Sequence, residues 1–351
     1  MKIVHAIWGL TTGGAEIMLI DIINVQIKSE NVALIVVNDL VNESLLRRID
    51  KRCRVKFLHR KVGSKSLIPW IKMNIFLMRY QADIIHFHLE GMRKMVIYPA
   101  PKVFTIHNMH TSGKEYSRYN ALYAISDAVR ERTKKQGFDS ITVLNGICSE
   151  EILIKQNCDR KPQKIIRLIS VGRLYIPHKG QDVLIKSLSI LKNRDISNFH
   201  LDLIGEGESR MAIELMIKEL KLTEYVTLLG QKDRAYIYSH LRDYDMFILP
   251  SKSEGFGLAI VEAMCAKVPV LTSNLPGPME VIGNGALGMC FKSEDFVDLA
   301  DKIRLFIEKG YSKETIETAF CLAMKNYNIA TTANKYISSY KDIISSRCKH
   351  R

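Results

Sequence analysis

The sequence predicts an α/β protein of two domains, each built around a parallel sheet. Its 351 residues exceed what one hydrophobic core usually serves, so two domains of roughly 150 to 200 residues are expected. Short apolar strand patterns alternate with helical patterns along the chain, the rhythm of parallel sheets. A polar stretch, SEEILIKQNCDRKPQK at 149–164, separates two such series and holds no convincing strand.

In the first series KIVHAI (2–7), VALIVV (32–37), VKFLH (55–59), DIIHFH (83–88), VFTIH (103–107), LYAIS (122–126) and ITVLN (141–145) read as strands. The second begins afresh with IRLISVG (166–172), HLDLIG (200–205), VTLLG (226–230), DMFILP (245–250) and VPVLTS (268–273). Helical spacing fills the gaps, as in DVLIKSLSILKN (182–193) and ESRMAIELMIKELK (208–221), and returns in the tail at Ile337, Tyr340, Ile343 and Ile344. The expected division is 1–148, a linker at 149–164, and 165–330. Such Rossmann-like domains bind ligands at the carboxyl ends of their strands, facing each other across a cleft.

No apolar run approaches the ~20 residues that span a bilayer, and MKIVHAIWGL lacks a basic region followed by a long apolar core. A cytoplasmic chain is expected. Seven cysteines are scattered without a C-x-x-C pair, the pattern of reduced, structural thiols.

The formal charge is +14, and +9 of it lies in residues 1–150. The excess is densest at Arg47, Arg48, Lys51, Arg52, Arg54, Lys56, Arg60, Lys61 and Lys65, followed by SLIPWIKMNIFLMRY (66–80) with Trp70, Ile71, Ile75, Phe76 and Leu77. Basic residues beside an aromatic, apolar segment suit an anionic membrane surface, so peripheral attachment through 47–80 at the inner face of the membrane is expected. A solvated basic turn before an ordinary core helix is the alternative. Nucleic acid is disfavoured, because no recognition motif accompanies the charge.

The chemistry concentrates in LPSKSEGFGLAIVEAM, which follows a buried-looking strand and opens a helix. Gly255 and Gly257 permit close backbone approach, and the amides from about Phe256 onward are the donors of a helix start, which attract an anion such as phosphate. Glu254 precedes the helix and Glu262 lies a turn or more inside it, so the two acids have separate tasks. A carboxylate beside phosphate is unfavourable unless it accepts hydrogen bonds from something else, and vicinal hydroxyls of a sugar or ribose supply them. SVGRLYIPHKGQDVLIKSL offers Arg173 and Lys179 just before another helix, two cations able to neutralise a diphosphate leaving group.

The ordered set GGAE (13–16), SVGRL with KG (170–180), LIGEG (203–207), LLG (228–230), LPSKSEGFGLAIVEAM (249–264) and PV (269–270) resembles the family 4 retaining glycosyltransferases of the GT-B fold. The resemblance implies a transferase that moves a sugar from a nucleoside-diphosphate sugar, a UDP-sugar being favoured, to a saccharide or lipid-linked saccharide in cell-surface polysaccharide or lipopolysaccharide assembly. No cofactor and no metal is implied, the sugar nucleotide being a co-substrate. Glu262 would bond the ribose and Glu254 would sit near the donor sugar. The amides of Phe256, Gly257 and Leu258, with Arg173 and Lys179, would hold the diphosphate. Gly13 and Gly14 would approach the phosphate or acceptor, His107 would lie beside the transferred sugar, and Gly205 and Gly207 would line the nucleotide site near the base. The last helix, about 331–351, would cross back to the amino-terminal domain.

Two departures concern local loop geometry and donor preference. The glycine that the family commonly carries ahead of PV is Lys267 here, and its Gly-Gly then Pro-Glu segment reads LPGPMEVI (275–282), with Gly277 and Glu280 kept.

Other constellations have plainer readings. His86 and His88 alternate along one strand, which is taken to let only one face a given side. With His107 and His110 they suggest zinc less well than a polar strand end. Asp243 and Asp245 imitate a metal-binding D-x-D but directly precede a buried strand. GEGESR has Arg210 where a dinucleotide fingerprint needs its third glycine, which disfavours NAD. A sugar-nucleotide epimerase of the same architecture and a non-catalytic sugar-nucleotide-binding protein are the alternatives to transfer.

Overall fold

The structure, a computed structural model, describes residues 1–11, 13–156 and 165–349. The chain forms two units, Met1–Ile147 with Asn328–Arg351, and Cys148–Tyr327. The expected linker lies outside the described residues at 157–164. Residues 149–156 are held on the second unit, where the Leu153 amide donates to Tyr238 O at 3.0 Å and the Lys155 amide to Ala266 O at 3.1 Å.

Among the described residues the first unit has seven strands: β1 Lys2–Ile7, β2 Asn31–Asn38, β3 Arg54–Arg60, β4 Ile84–Phe87, β5 Lys102–Ile106, β6 Ala121–Ala124 and β7 Ile141–Thr142. All pairs are parallel and the order is β3-β2-β1-β4-β5-β6-β7. β1 runs as a buried strand, with Ile3, Val4 and Ala6 wholly enclosed, because a parallel sheet is covered on both faces. The long terminal helix Ile329–Lys349 completes this unit. Its Tyr336 and Tyr340 are fully buried, and each hydroxyl finds a partner, Tyr336 with Thr105 Oγ1 at 3.1 Å and Tyr340 with His86 Nδ1 at 2.5 Å. Gly146 lets this helix approach, since a Cβ there would lie 2.5 Å from Thr332 Oγ1 and 2.8 Å from the Ile329 Cα.

The second unit has six strands among its described residues: β8 Ile166–Val171, β9 Phe199–Ile204, β10 Val226–Gly230, β11 Met246–Leu249, β12 Val270–Ser273 and β13 Met289–Phe291. Their order is β10-β9-β8-β11-β12-β13, again all parallel. The helix Gln181–Asn193 buries Val183, Leu184, Leu188 and Leu191 in a core shared with Leu168, Leu201 and Ile303. β13 went unnoticed in the sequence because three residues carry no periodicity to read.

Several expected strands end one residue early: His107, Gly172, Gly205 and Pro250 all lie just beyond their ladders. These are the positions where the chain leaves each sheet at its carboxyl edge, and in the second unit Gly172, Gly205 and Pro250 border the loops after β8, β9 and β11.

Candidate active site

In the second unit the strand order reverses direction between β8 and β11. From β8 the chain proceeds outward through β9 and β10, then returns to β11 on the other side. The loops that follow β8 and β11 therefore diverge, and the crevice between them at the carboxyl edge is where open α/β sheets take ligands. Arg173 stands on the first loop, which enters the short helix Ile176–Lys179. Glu254 stands on the second.

The two loops are tied together. Lys179 Nζ lies 2.7 Å from Glu254 Oε2, and the amides of Lys252 and Ser253 donate to His178 O at 2.8 and 3.1 Å. A Cβ on Gly180 would fall 2.0 Å from Pro250 O, so only glycine permits that backbone approach. Lys252 Nζ pairs with Asp182 Oδ2 at 2.9 Å. Gln181 Nε2 donates to Arg173 O at 2.9 Å, fixing the backbone of that residue. The Arg173 guanidinium, well exposed, pairs with Glu208 and lies 5.6 Å from the Tyr175 ring centre.

The second loop closes at Gly257, the N-cap of the helix Leu258–Cys265, with φ at +101°. That left-handed turn is open to glycine at little cost, and it starts a helix in which the Ile260 amide turns back to Gly257 O at 2.9 Å, the amides ahead of it lying before the intrahelical ladder begins. Phe256 is buried edge-on against Tyr327 at 5.5 Å between ring centres. Gly277 supports the same loop: a Cβ there would meet Gly255 O at 2.4 Å and the Phe256 amide nitrogen at 2.8 Å. Glu262, fifth in the helix, accepts from the Tyr238 hydroxyl at 3.3 Å. Gly205 and Gly207 serve close packing, because a Cβ on either would strike Gly172 O at 2.0 Å or Leu174 O at 2.4 Å. They let the loop after β9 close on the loop after β8.

The aspartates of the D-x-D lie elsewhere. Asp245 precedes β11 at the sheet's amino edge, accepting from the Arg167 amide at 3.0 Å and pairing with Lys155 at 3.1 Å.

The first unit reverses between β1 and β4. Trp8 Nε1 donates to Glu90 O at 2.8 Å, joining the two loops there. Gly13 is the N-cap of the helix Gly14–Gln26, but the Glu16 carboxylate folds back over it: a Cβ on Gly13 would lie 2.2 Å from Glu16 Oε2. Thr11 Oγ1 donates to Glu16 Oε1 at 3.0 Å, and burial raises the Glu16 pKa. A carboxylate of the chain itself thus occupies the helix start expected to approach phosphate.

His86 and His88 correct the expectation that only one of them faces a given side. Residues two apart on a strand share a face, and these rings stack at 4.2 Å between centres. With His5, opposite His86 in the β1–β4 register, they bring ligand atoms within 4.8 Å of one another. All six ring nitrogens are nevertheless engaged. His5 bonds Gln26 Oε1 at 2.8 Å and His88 Nε2 at 3.0 Å, His86 bonds Tyr340 OH and Thr105 Oγ1 at 2.7 Å, and His88 Nδ1 bonds His107 Nε2 at 3.2 Å. A buried dication here would have to break these bonds in a group of neutral ligands, so the cluster is a hydrogen-bond network. Burial holds the rings neutral: the pKa of His5 and His107 falls to about 4, and those of His86 and His88 fall well below 6.5.

Residues 153–320 match the family model described as Glycosyl transferases group 1. The second unit is a group 1 glycosyl transferase domain. Lys179, Glu254, Phe256, Gly257, Leu258 and Glu262 all fall inside that match, as do Arg173, Gly205 and Gly207. Over more of its length the chain is similar to the phosphatidyl-myo-inositol mannosyltransferase of Mycobacterium leprae (strain TN), 24% identical over 76% of this chain and 75% of the relative. The capsular polysaccharide biosynthesis glycosyltransferase CapM of Staphylococcus aureus is 29% identical over 56% of this chain and 54% of that one. Among solved structures, Anabaena HepE in complex with UDP-glucose superposes with a TM-score of 0.80 at 21% identity, covering 97% of this chain and 100% of that chain. The fold of the whole chain is accordingly GT-B, two parallel-sheet α/β units.

Sequence reasoning missed the partners of the expected site groups: Glu208 beside Arg173, Tyr238 beside Glu262, Glu16 over Gly13, and the Gln26–His5 pair behind His107. GGAE did contain Glu16, and its place three residues after the N-cap was the legible signal of a carboxylate reaching back. The others come from distant strands and helices and had no local signal.

Proposed function

We propose that the chain is a retaining glycosyltransferase that moves a sugar from a nucleoside-diphosphate sugar, a UDP-sugar foremost, to a saccharide or lipid-linked saccharide acceptor of cell-surface polysaccharide assembly. The observation that carries this reading is the paired loops at the β8/β11 reversal. They bring Lys179 to 2.7 Å from Glu254 beside a glycine-capped helix start. A diphosphate needs cations and backbone donors, and a sugar needs a carboxylate for its hydroxyls. Those groups stand together here. The UDP-sugar bound by Anabaena HepE, and the names of the mannosyltransferase and CapM relatives, favour the same donor and acceptor classes.

In the proposed reaction Arg173, Lys179 and the amides of Phe256, Gly257 and Leu258 stabilise the departing diphosphate. That diphosphate takes the acceptor's proton as the hydroxyl attacks from the same face, without a metal. Glu262 binds the ribose, Glu254 binds the sugar, and His107 contacts the transferred sugar. Thermal shift with UDP-, GDP- and ADP-sugars tests the donor, since a true donor stabilises the fold by mass action. No shift with any of the three would overturn it.

The proposed acceptor side includes an anionic membrane. Among the described residues no helix is long and apolar enough to cross a membrane. On the helix Ile68–Tyr80 the exposed residues Ile68, Ile71, Lys72, Ile75, Met78 and Arg79 follow three- and four-residue spacing, forming one apolar and basic stripe. The aromatic residues expected to join it do not. Trp70 and Phe76 are buried, Trp70 meeting Trp8 edge-on at 5.7 Å between ring centres. Co-sedimentation with anionic but not neutral vesicles is expected, and equal partitioning to both would remove the electrostatic part.

A further inference from the structure

His107 ends a buried line of side chains whose far end is an amide on a different element. Gln26, wholly enclosed at the end of the helix Gly14–Gln26, places Oε1 2.8 Å from His5 Nε2. His5 Nδ1 lies 3.0 Å from His88 Nε2, and His88 Nδ1 lies 3.2 Å from His107 Nε2. A neutral imidazole has one N–H and one lone-pair nitrogen, and an amide oxygen only accepts. With the amide oxygen turned toward it, His5 carries its proton on Nε2 and accepts at Nδ1. His88 must then donate from Nε2 and accept at Nδ1, and His107 must donate from Nε2. A single oxygen sets three tautomers, and His107 Nδ1 is left as a lone pair. With the amide turned to present its NH2 group, every proton in the line would move to the other nitrogen.

We propose that Gln26, His5 and His88 are positioning residues that hold His107 as its Nε2–H tautomer, so that Nδ1 accepts a hydrogen bond from a hydroxyl of the transferred sugar. This rests on the reading that His107 contacts that sugar. A phosphate oxygen brings only lone pairs and is repelled by such a nitrogen, whereas a hydroxyl brings the proton it needs. The line stays intact at neutral pH because burial keeps His5 and His107 uncharged, with pKa values about 4. His86 stands outside it, since Tyr340 and Thr105 take both its nitrogens.

The test uses the full chain labelled with 15N-histidine, with His107→Phe assigning the signal and long-range N–H correlation spectra reading each tautomer. Wild type is expected to show His107 as Nε2–H, Gln26→Met to mix its tautomers, and Gln26→Glu, which keeps the acceptor, to restore the single form. Gln26→Met should also lower kcat roughly tenfold, the loss of one well-placed hydrogen bond, while the donor KM stays within about twofold. His5→Phe breaks the line at another point and should give the same mixture if Gln26→Met folds poorly. An Nδ1–H His107 in wild type, or one indifferent to Gln26→Met and His5→Phe, overturns the proposal. If the tautomer follows Gln26 but saturation with the best-stabilising nucleotide sugar leaves the His107 signals unmoved, the sugar contact fails and the tautomer line survives.

Discussion

Lys179 Nζ lies 2.7 Å from Glu254 Oε2, joining the loop after β8 to the loop after β11. The cation proposed for the diphosphate is thus neutralised by the acid proposed for the sugar. Glu254→Gln releases Lys179, so affinity for UDP alone is expected to hold or rise while turnover falls by about 10²-fold or more, the scale of losing a well-placed charged group. Lys179→Ala is expected to weaken both. Calorimetry with UDP beside steady-state rates separates these outcomes, and a parallel fall in both for Glu254→Gln would refute the division of labour. Stability should change little, because a partly exposed pair contributes about 1 kcal/mol or less.

Gly277→Ala is expected to keep the fold but disturb the donor loop. The added Cβ meets backbone atoms, Gly255 O at 2.4 Å and Phe256 N at 2.8 Å, which cannot swing aside as a side chain would. A loss of roughly tenfold or more in kcat/KM, from misplaced amides, with melting lowered by a few degrees, is the expected result. Unchanged kinetics would show that the loop tolerates the shift.

Stability should fall as the pH drops from 6.5 toward 4. In the folded chain the pKa of His5 and of His107 lies near 4, so the unfolded chain takes up protons near 6.5 that the folded one refuses. The unfolded state binds more protons within this window, and the fold weakens there while keeping full stability above it. One such shift is worth about 3 kcal/mol per histidine. Melting temperatures measured from pH 7.5 to 4.5 check this, and a flat profile between 6.5 and 5 would contradict it.

Lys267 occupies a left-handed backbone conformation, with φ at +59°, at the position where the family resemblance led to an expectation of glycine. Its ammonium pairs with Glu317 at 2.6 Å and lies 4.7 Å from the Phe320 ring centre, contacts that offset the backbone cost. Lys267→Gly relieves about 1 kcal/mol of strain and gives up a similar amount in contacts, so its net change should stay within about 1 kcal/mol. Lys267→Ala loses the contacts and keeps the strain. Denaturant unfolding should rank glycine above alanine, the reverse of what an unstrained position would give.

Most of the fold was legible because buried parallel strands are continuous apolar runs, and VALIVV or IRLISV can hardly be read otherwise. SEGFG was legible as a helix start for the same kind of reason: glycines at a strand-to-helix turn are a local signal. The histidines were misjudged by an error of period at His86 and His88, and of the apolar residues expected at the surface of 66–80 Ile71 and Ile75 are exposed while Trp70, Phe76 and Leu77 are buried. Composition alone does not say which turn of a helix meets the core, so Trp70 and Phe76 went inward and Ile71 and Ile75 stayed outside.

The sequence by itself determined most of the elements, β13 excepted, and the loops that carry charge, since each depends on neighbours along the chain, and the alternation of strands with helices implied parallel sheets. Only the tertiary structure decided the partners. Lys179 meets Glu254 across 75 positions, and His107 reaches Gln26 through β4 and β1, because strand order places side by side residues that no local pattern links.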